Sequence, residues 1–200
     1  MADKKISQLP PKASIMGAND LLEVSEVGFV PGAFTSKKMR RDKLIETVVG
    51  NIPSASFYDN TTQATTALNI VPMEIAQSNF LNNILLYGTT GMQVNESGYY
   101  NVQFSAQIYR TSGGTSQHVD IFLRNSGTDV ANSNTKVSVH ANSVYLVAAW
   151  NWFVYLAAGE YIEIMWSPSA STIELRAEPE DLSLPCPATP SVIATINRIG

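Results

Sequence analysis

Residues 98–108 read GYYNVQFSAQI, and residues 144–156 read VYLVAAWNWFVYL. In the first stretch Tyr100, Val102, Phe104, Ala106 and Ile108 alternate with Asn101, Gln103, Ser105 and Gln107. A period of two is that of a strand with one face in a core and the other in water. The second stretch breaks this rule. Val144, Leu146, Ala148, Trp150, Trp152, Val154 and Leu156 occupy one parity, and Tyr145, Val147, Ala149, Asn151, Phe153 and Tyr155 the other. Both faces are apolar, although an antiparallel sandwich strand needs only one such face. The odd face carries phenolic hydroxyls, and Tyr99 and Tyr109 share the outer parity of the first strand. Two arrangements satisfy the pattern: loops of the same chain cover the odd face, or a second copy does. Self-association is favoured, because aromatic rings with polar tips are enriched in interface cores.

The same alternation recurs outward from these strands. Val119, Ile121 and Leu123 alternate with Asp120 and Arg124. Ile162, Ile164 and Trp166 alternate with Glu163 and Met165, and VIATINRI (192–199) makes a closing strand. By this parity Trp150, Trp152 and Trp166 face inward. Turn-forming clusters separate the strands at Ser112-Gly113-Gly114, Asn125-Ser126-Gly127, Ala141-Asn142-Ser143 and Ala158-Gly159. Short strands at this spacing, with no helical period between them, predict an all-β antiparallel jelly-roll sandwich over residues 54–200. Loops 111–116, 140–143 and 178–190 fall at one end of it, opposite the start of strand 99–110.

Residues 1–53 read differently. Pro10 and Pro11 interrupt regular structure, Gly17-Ala18-Asn19-Asp20 is a turn, and Leu21–Val24 is extended. Thr35 or Ser36 then caps a predicted short helix through Val48, with Ile45, Val48 and Val49 on one side. Such a segment buries too little to fold alone, so its apolar residues, Ile6, Leu9, Leu21 and Leu22 among them, need another surface. It reads as an extended anchoring arm. Residues 1–50 hold eight basic against six acidic residues, whereas 51–200 hold five against eleven. The basic cluster Lys37, Lys38, Arg40, Arg41 and Lys43 is interrupted by Asp42 and Glu46 and lacks stacking aromatics. It reads as a solvated helix face, not a nucleic-acid arm.

Composition narrows the function. Charged residues are 15% of the chain, below the usual ~25%. A surface of hydroxyls and amides suits extracellular or assembly proteins. No apolar run approaches the ~18 residues of a membrane span, so no membrane insertion is expected. The opening MADKKISQLPP has no apolar stretch behind its charges, which disfavours a secreted cytokine-like or lectin-like ligand. One cysteine, Cys186, excludes an internal disulfide and a cysteine zinc site. His118 and Asp120 share a strand face, but no G-x-S-x-G accompanies them. His140 flanks a turn. Glu160/Glu163 and Glu178/Glu180/Asp181 are carboxylate pairs in number only, and no D-x-D-x-D-G loop is present. The expectation is a protein that is not an enzyme and has neither cofactor nor metal. The Pro-rich loop 177–191 either covers a sheet edge or is displayed at the sandwich end.

GYYNVQF (98–104), with Met92 ahead of it, resembles the G-x-Y-x-F/V-x-F strand of the jelly-roll superfamily of tumour necrosis factor and the complement globular heads. LAAGEYIEI (156–164) is similar to that family's L-x-x-G-D-x-V-x-V segment, with Glu160 for Asp. The resemblance implies a homotrimer, with Tyr99, Tyr109, Tyr145, Phe153 and Tyr155 at the trimer interface. KISQLP (5–10), GANDLLEV (17–24) and TSKKMRRDKL (35–44) resemble the N-terminal segment of tailed-bacteriophage virion proteins, fibres especially. IFLRNSGTDVANSNT (121–135) and YIEIMWS (161–167) are similar to phage structural jelly rolls. This implies a virion component, anchored to other virion proteins by residues 1–53 through Ile6, Leu9, Leu21, Leu22, Lys37, Lys38, Arg40 and Arg41. The head would be a short fibre contacting a host receptor or glycan. The alternative is a capsid decoration, or cement, protein.

Overall fold

The computed structural model describes residues 21–27, 34–40, 52–140, 145–183 and 186–200. The chain divides into two units, Met1–Asn51 and Ile52–Gly200. In the first, strands β1 (Leu21–Val27) and β2 (Phe34–Arg40) pair antiparallel, with Leu21 opposite Arg40 and Val27 opposite Phe34. The helix expected from residue 35 or 36 is therefore corrected over its first turns. Lys37, Lys38 and Arg40 belong to a strand held by backbone bonds to β1, and tertiary pairing overrides the helix-forming side chains there. Residues 41–48 of that helix, Arg41 among them, lie outside the described residues, as do Ile6 and Leu9.

The second unit begins with β3 (Ser54–Asp59), β4 (Gln63–Ala64), β5 (Val71–Pro72), β6 (Gln77–Asn82), β7 (Ile84–Tyr87) and β8 (Gly91–Val94). The long β9 (Gly98–Arg110) follows, then β10 (Gln117–Asn125), β11 (Thr128–Asp129) and β12 (Thr135–Val139). It closes with β13 (Tyr145–Leu156), β14 (Tyr161–Pro168), β15 (Ile173–Leu175) and β16 (Val192–Arg198). All pairings are antiparallel and form two sheets, each of seven strands among the described residues.

In the first sheet β9 is central. One of its edges carries β13 along its whole length, Leu156 opposite Gly98 and Tyr145 opposite Tyr109. The other edge is shared end to end by β16 and β15, beyond which lie β3 and β6, and β4. In the second sheet β10 pairs β11 and β12 on one side and β14 on the other, followed by β5, β8 and β7. The result is the jelly-roll sandwich that the alternation predicts.

The facing sides of the sheets form one core. Phe57, Tyr100, Val102, Ile108, Val192 and Ile196 come from the first sheet, and Val119, Ile121, Leu123, Ile162 and Trp166 from the second. Each large apolar side chain buried here contributes about 1.5–3 kcal/mol of transfer free energy. Met165, expected on the outer side of β14, is buried instead, with Pro72 of β5 and Phe122 of β10 opposite it in register. The turn from β13 to β14 depends on Gly159, whose φ of 89° suits a residue without Cβ. Glu160 closes the same turn: its carboxylate accepts the Ala157 N–H at 2.8 Å and an Asn125 amide hydrogen at 3.1 Å.

Candidate self-association face

β13 is an edge strand. Among the described residues it pairs with β9 alone. Its even positions turn toward the core: Ala148 and Leu156 are buried, and Leu146, Trp150, Trp152 and Val154 are half-buried against the cluster. Val144 lies outside the described residues. The Phe104 ring lies between the tryptophans, its centroid 4.7 Å from Trp150 and 5.3 Å from Trp152. Trp152 Nε1 donates to the Ser133 carbonyl at 3.0 Å, and Ser133 Oγ accepts the Leu123 N–H at 3.0 Å. The open edge is thereby fastened to the other sheet. The inward parity of all three tryptophans holds, but only Trp166, at 1% exposure, is fully enclosed.

The odd positions point away from the core and are uncovered within the described chain. Phe153 is 67% exposed, and Tyr145, Val147, Tyr155 and Tyr99 each expose more than half of their surface. The register of β13 on β9 sets them in rows. Tyr155 stands opposite Tyr99 with ring centroids 5.4 Å apart, and Tyr145 opposite Tyr109 at 4.8 Å. The structure therefore brings Tyr99, Tyr109, Tyr145, Phe153 and Tyr155 onto one sheet face. Among the described residues the chain's own loops reach this set only at its margin: the Arg176 guanidinium lies 3.8 Å above the Tyr109 ring, and Glu178 meets the Tyr145 hydroxyl.

Between the aromatic ends the face is polar but uncharged. Asn151 Nδ2 donates to Asn101 Oδ1 at 2.8 Å, and Asn101 Nδ2 to Asn197 Oδ1 at 3.4 Å, so an amide ladder crosses β13, β9 and β16. Gln103, Ser105 and Gln107 of β9 and Ile193 and Thr195 of β16 complete this side. Charge appears at one margin only, where it is internally paired. Arg176 Nε is 2.7 Å from Glu174 Oε1 and 3.9 Å from Glu178 Oε1. The Tyr145 hydroxyl donates to Glu178, and that hydrogen bond raises the phenol above its ordinary pKa of 10.0.

Parity alone could have placed Val147 and Asn151 in the set, since both share the spacing of Tyr145 and Phe153. The ladder and the Arg176 stack were not readable, because they depend on which strands flank β9. Of the other predicted site residues, Leu21 and Leu22 stand on β1 and Lys37, Lys38 and Arg40 on β2.

The remaining candidates for chemistry are scattered. His118 Nε2 lies 3.5 Å from Asp120 Oδ2, and that carboxylate also faces Lys136 at 3.7 Å and Asn134 at 3.0 Å. His140 Nδ1 meets Ser116 Oγ at 3.1 Å. Glu163 accepts the Thr90 hydroxyl at 2.7 Å, whereas Glu160 is used in its turn. Cys186 is exposed. Among the described residues no group of three or more His, Cys, Asp or Glu side chains could hold a metal ion, and no helix is long and apolar enough to cross a membrane. The 177–191 segment folds back on itself through Glu178 with Thr189 and Asp181 with Cys186. It leaves the sheet at the end that also carries 111–116 and His140, opposite the start of β9.

No family model matches the chain, and no curated protein matches it in sequence. Among solved structures, the tumour necrosis factor Eiger of S. frugiperda superposes with a TM-score of 0.51 at 11% identity. The match covers 75% of this chain and 94% of that one. The globular domain of the zebrafish complement 1qA protein gives a TM-score of 0.44 at 16% identity, over 74% and 98% of the two chains. What the Eiger likeness carries over is the fold.

Proposed function

We propose that this protein is a non-enzymatic structural protein of a tailed-bacteriophage virion, whose head self-associates as a homotrimer and whose N-terminal segment docks it on the particle. The observation that carries the trimer is the exposed, uncharged aromatic face of β13 and β9. A monomer that leaves Phe153, Tyr155, Tyr99, Tyr145 and Val147 in water presents large exposed apolar side chains on one face of one strand pair, of the kind that marks an interaction site. Closed symmetric assembly buries such a patch without growth into filaments. Support for the virion role comes from the segments 5–10, 17–24 and 35–44, whose wording resembles fibre N-termini. The two units match such a division of labour, with anchoring in 1–51 and display in 52–200. The head then stands as a short fibre and meets a host receptor or glycan at its free end.

Sedimentation velocity at micromolar concentration tests the first part: a species of three chains is expected, and a single chain refutes it. Removing residues 1–51 should leave the trimer intact and abolish incorporation into particles. Deleting the protein from the phage tests its place. Loss of adsorption with intact capsids is expected, whereas fragile capsids that still adsorb would make it a capsid decoration protein.

A further inference from the structure

The amide ladder gives the self-association face an element that aromatic burial alone does not supply. Asn101 is 9% exposed and spends its Oδ1 on Asn151 and one Nδ2 hydrogen on Asn197. The inner end of the ladder is thus fixed by three strands. Its outer end, Asn151, is exposed at the middle of β13, between Ala149 and Phe153. One Nδ2 hydrogen of Asn151 goes to Asn101. Its second hydrogen and its Oδ1 have no protein partner among the described residues. Each copy therefore presents one oriented donor and one acceptor from a single side chain, in an otherwise apolar row of β13 (Val147, Ala149, Phe153).

We propose that Asn151 sets the register of the assembly: its amide from each copy hydrogen-bonds the Asn151 amide of the next, closing a ring about the symmetry axis, with Asn101 and Asn197 as positioning residues. This rests on the self-association reading above and names what makes it specific. The occupant of the face is a second copy of this chain. A buried amide left without a partner is costly, and an identical amide is both donor and acceptor, so rotational symmetry satisfies every copy at once. The charge pattern agrees. Tyr99, Asn101, Gln103, Ser105 and Gln107 on β9 and the odd residues of β13 include no acid or base, so the face offers nothing to a charged partner and repels no copy of itself. A single polar residue in an apolar seam fixes register and oligomer number elsewhere, at some expense of stability.

The test uses the full chain and three substitutions read by sedimentation velocity and native mass spectrometry. Wild type should give one species of three chains; a single chain would refute the self-association reading and this proposal with it, whereas the variants below test the proposal alone. Asn151→Asp brings three carboxylates together at pH 7 and should weaken association at least ~10-fold. It should recover in part below about pH 4, where the neutral acid accepts again but has one hydrogen to donate in place of the amide's two. Asn151→Leu should still associate, because the outer row of β13 becomes apolar from Val147 to Phe153, but as a mixture of sizes instead of one. Asn79→Asp, on the exposed β6, should behave as wild type at both pH values. An Asn151→Asp trimer of undiminished strength at pH 7, or an Asn151→Leu protein that stays a single trimer, would overturn the proposal.

Discussion

Phe153→Glu is the substitution that most directly tests the aromatic face. In the isolated chain Phe153 is 67% exposed, so the change removes little that the monomer uses. Exposed substitutions generally stay within about 0.5 kcal/mol, and the unfolding midpoint of a dilute monomer should barely move. In the proposed assembly the same position would lose its remaining exposure. Full burial of a Phe side chain is worth roughly 1.5–3 kcal/mol, so two-thirds of it is about 1–2 kcal/mol per copy. Three copies forfeit about 3–6 kcal/mol. At 1.4 kcal/mol per factor of ten, that weakens trimer formation by roughly two to four orders of magnitude. Desolvating three unpaired carboxylates adds to this. Sedimentation velocity over a dilution series reads the dissociation, and circular dichroism checks that the subunit is folded. If the monomer cannot fold alone, the variant fails to express, and Phe153→Ser, which carries no charge, should then associate weakly. A Phe153→Glu protein that is folded and as firmly trimeric as wild type would refute the reasoning, since the face would then lie outside the contact.

Three further outcomes follow from the same geometry. Trp166→Ala, in the centre of the core, should lower stability by ~3–5 kcal/mol in urea unfolding, and Trp152→Ala by less, because that ring is only partly buried although it loses the Ser133 hydrogen bond. Gly113→Ala should destabilise by roughly 1–3 kcal/mol: φ there is 104°, and a Cβ would overlap the buried Arg110 guanidinium, whose Nε donates to the Ser112 carbonyl at 3.0 Å. Gly114→Ala, with open space around it, should be close to neutral by the same melting assay. The Tyr145 phenol, held protonated by its bond to Glu178, should ionise above its ordinary pKa of 10.0 in an ultraviolet titration, and Glu178→Gln should bring it down. The sign is that of a raised value: the stabilising contact is complete below the unfolded pKa and is lost as pH rises through the folded one.

The long strands were legible because their burial is one-sided. Val102, Phe104 and Ile108, or Val119, Ile121 and Leu123, announce their face by period alone, and the doubly apolar 144–156 stretch announced an uncovered side. The short pieces were not. β4 and β5, two residues each, have no period to read and exist because β15 and β14 offer them an edge. Met165 follows the outward parity of β14, yet it is buried, with neighbours in register on both sides, Pro72 and Phe122. TSKKMR (35–40) has the charges and straight side chains of a helix, and only its partner LLEVSEV turns it into a strand. The site divides likewise. The aromatic residues declare themselves one at a time, whereas Asn151, Asn101 and Asn197 become a ladder only once β13 and β16 are known to flank β9.

Both ends of the head's backbone meet at one pole. The Arg198 N–H donates to the Pro53 carbonyl at 2.8 Å, and Tyr99 N–H to the Gly200 carbonyl at 2.9 Å. A module whose entry and exit are adjacent can be spliced into a surface loop of another protein, or reopened elsewhere by circular permutation, without stretching the chain. Residues 53–200 accordingly suit use as a graftable cassette, with the 177–191 excursion as a place to display foreign peptides.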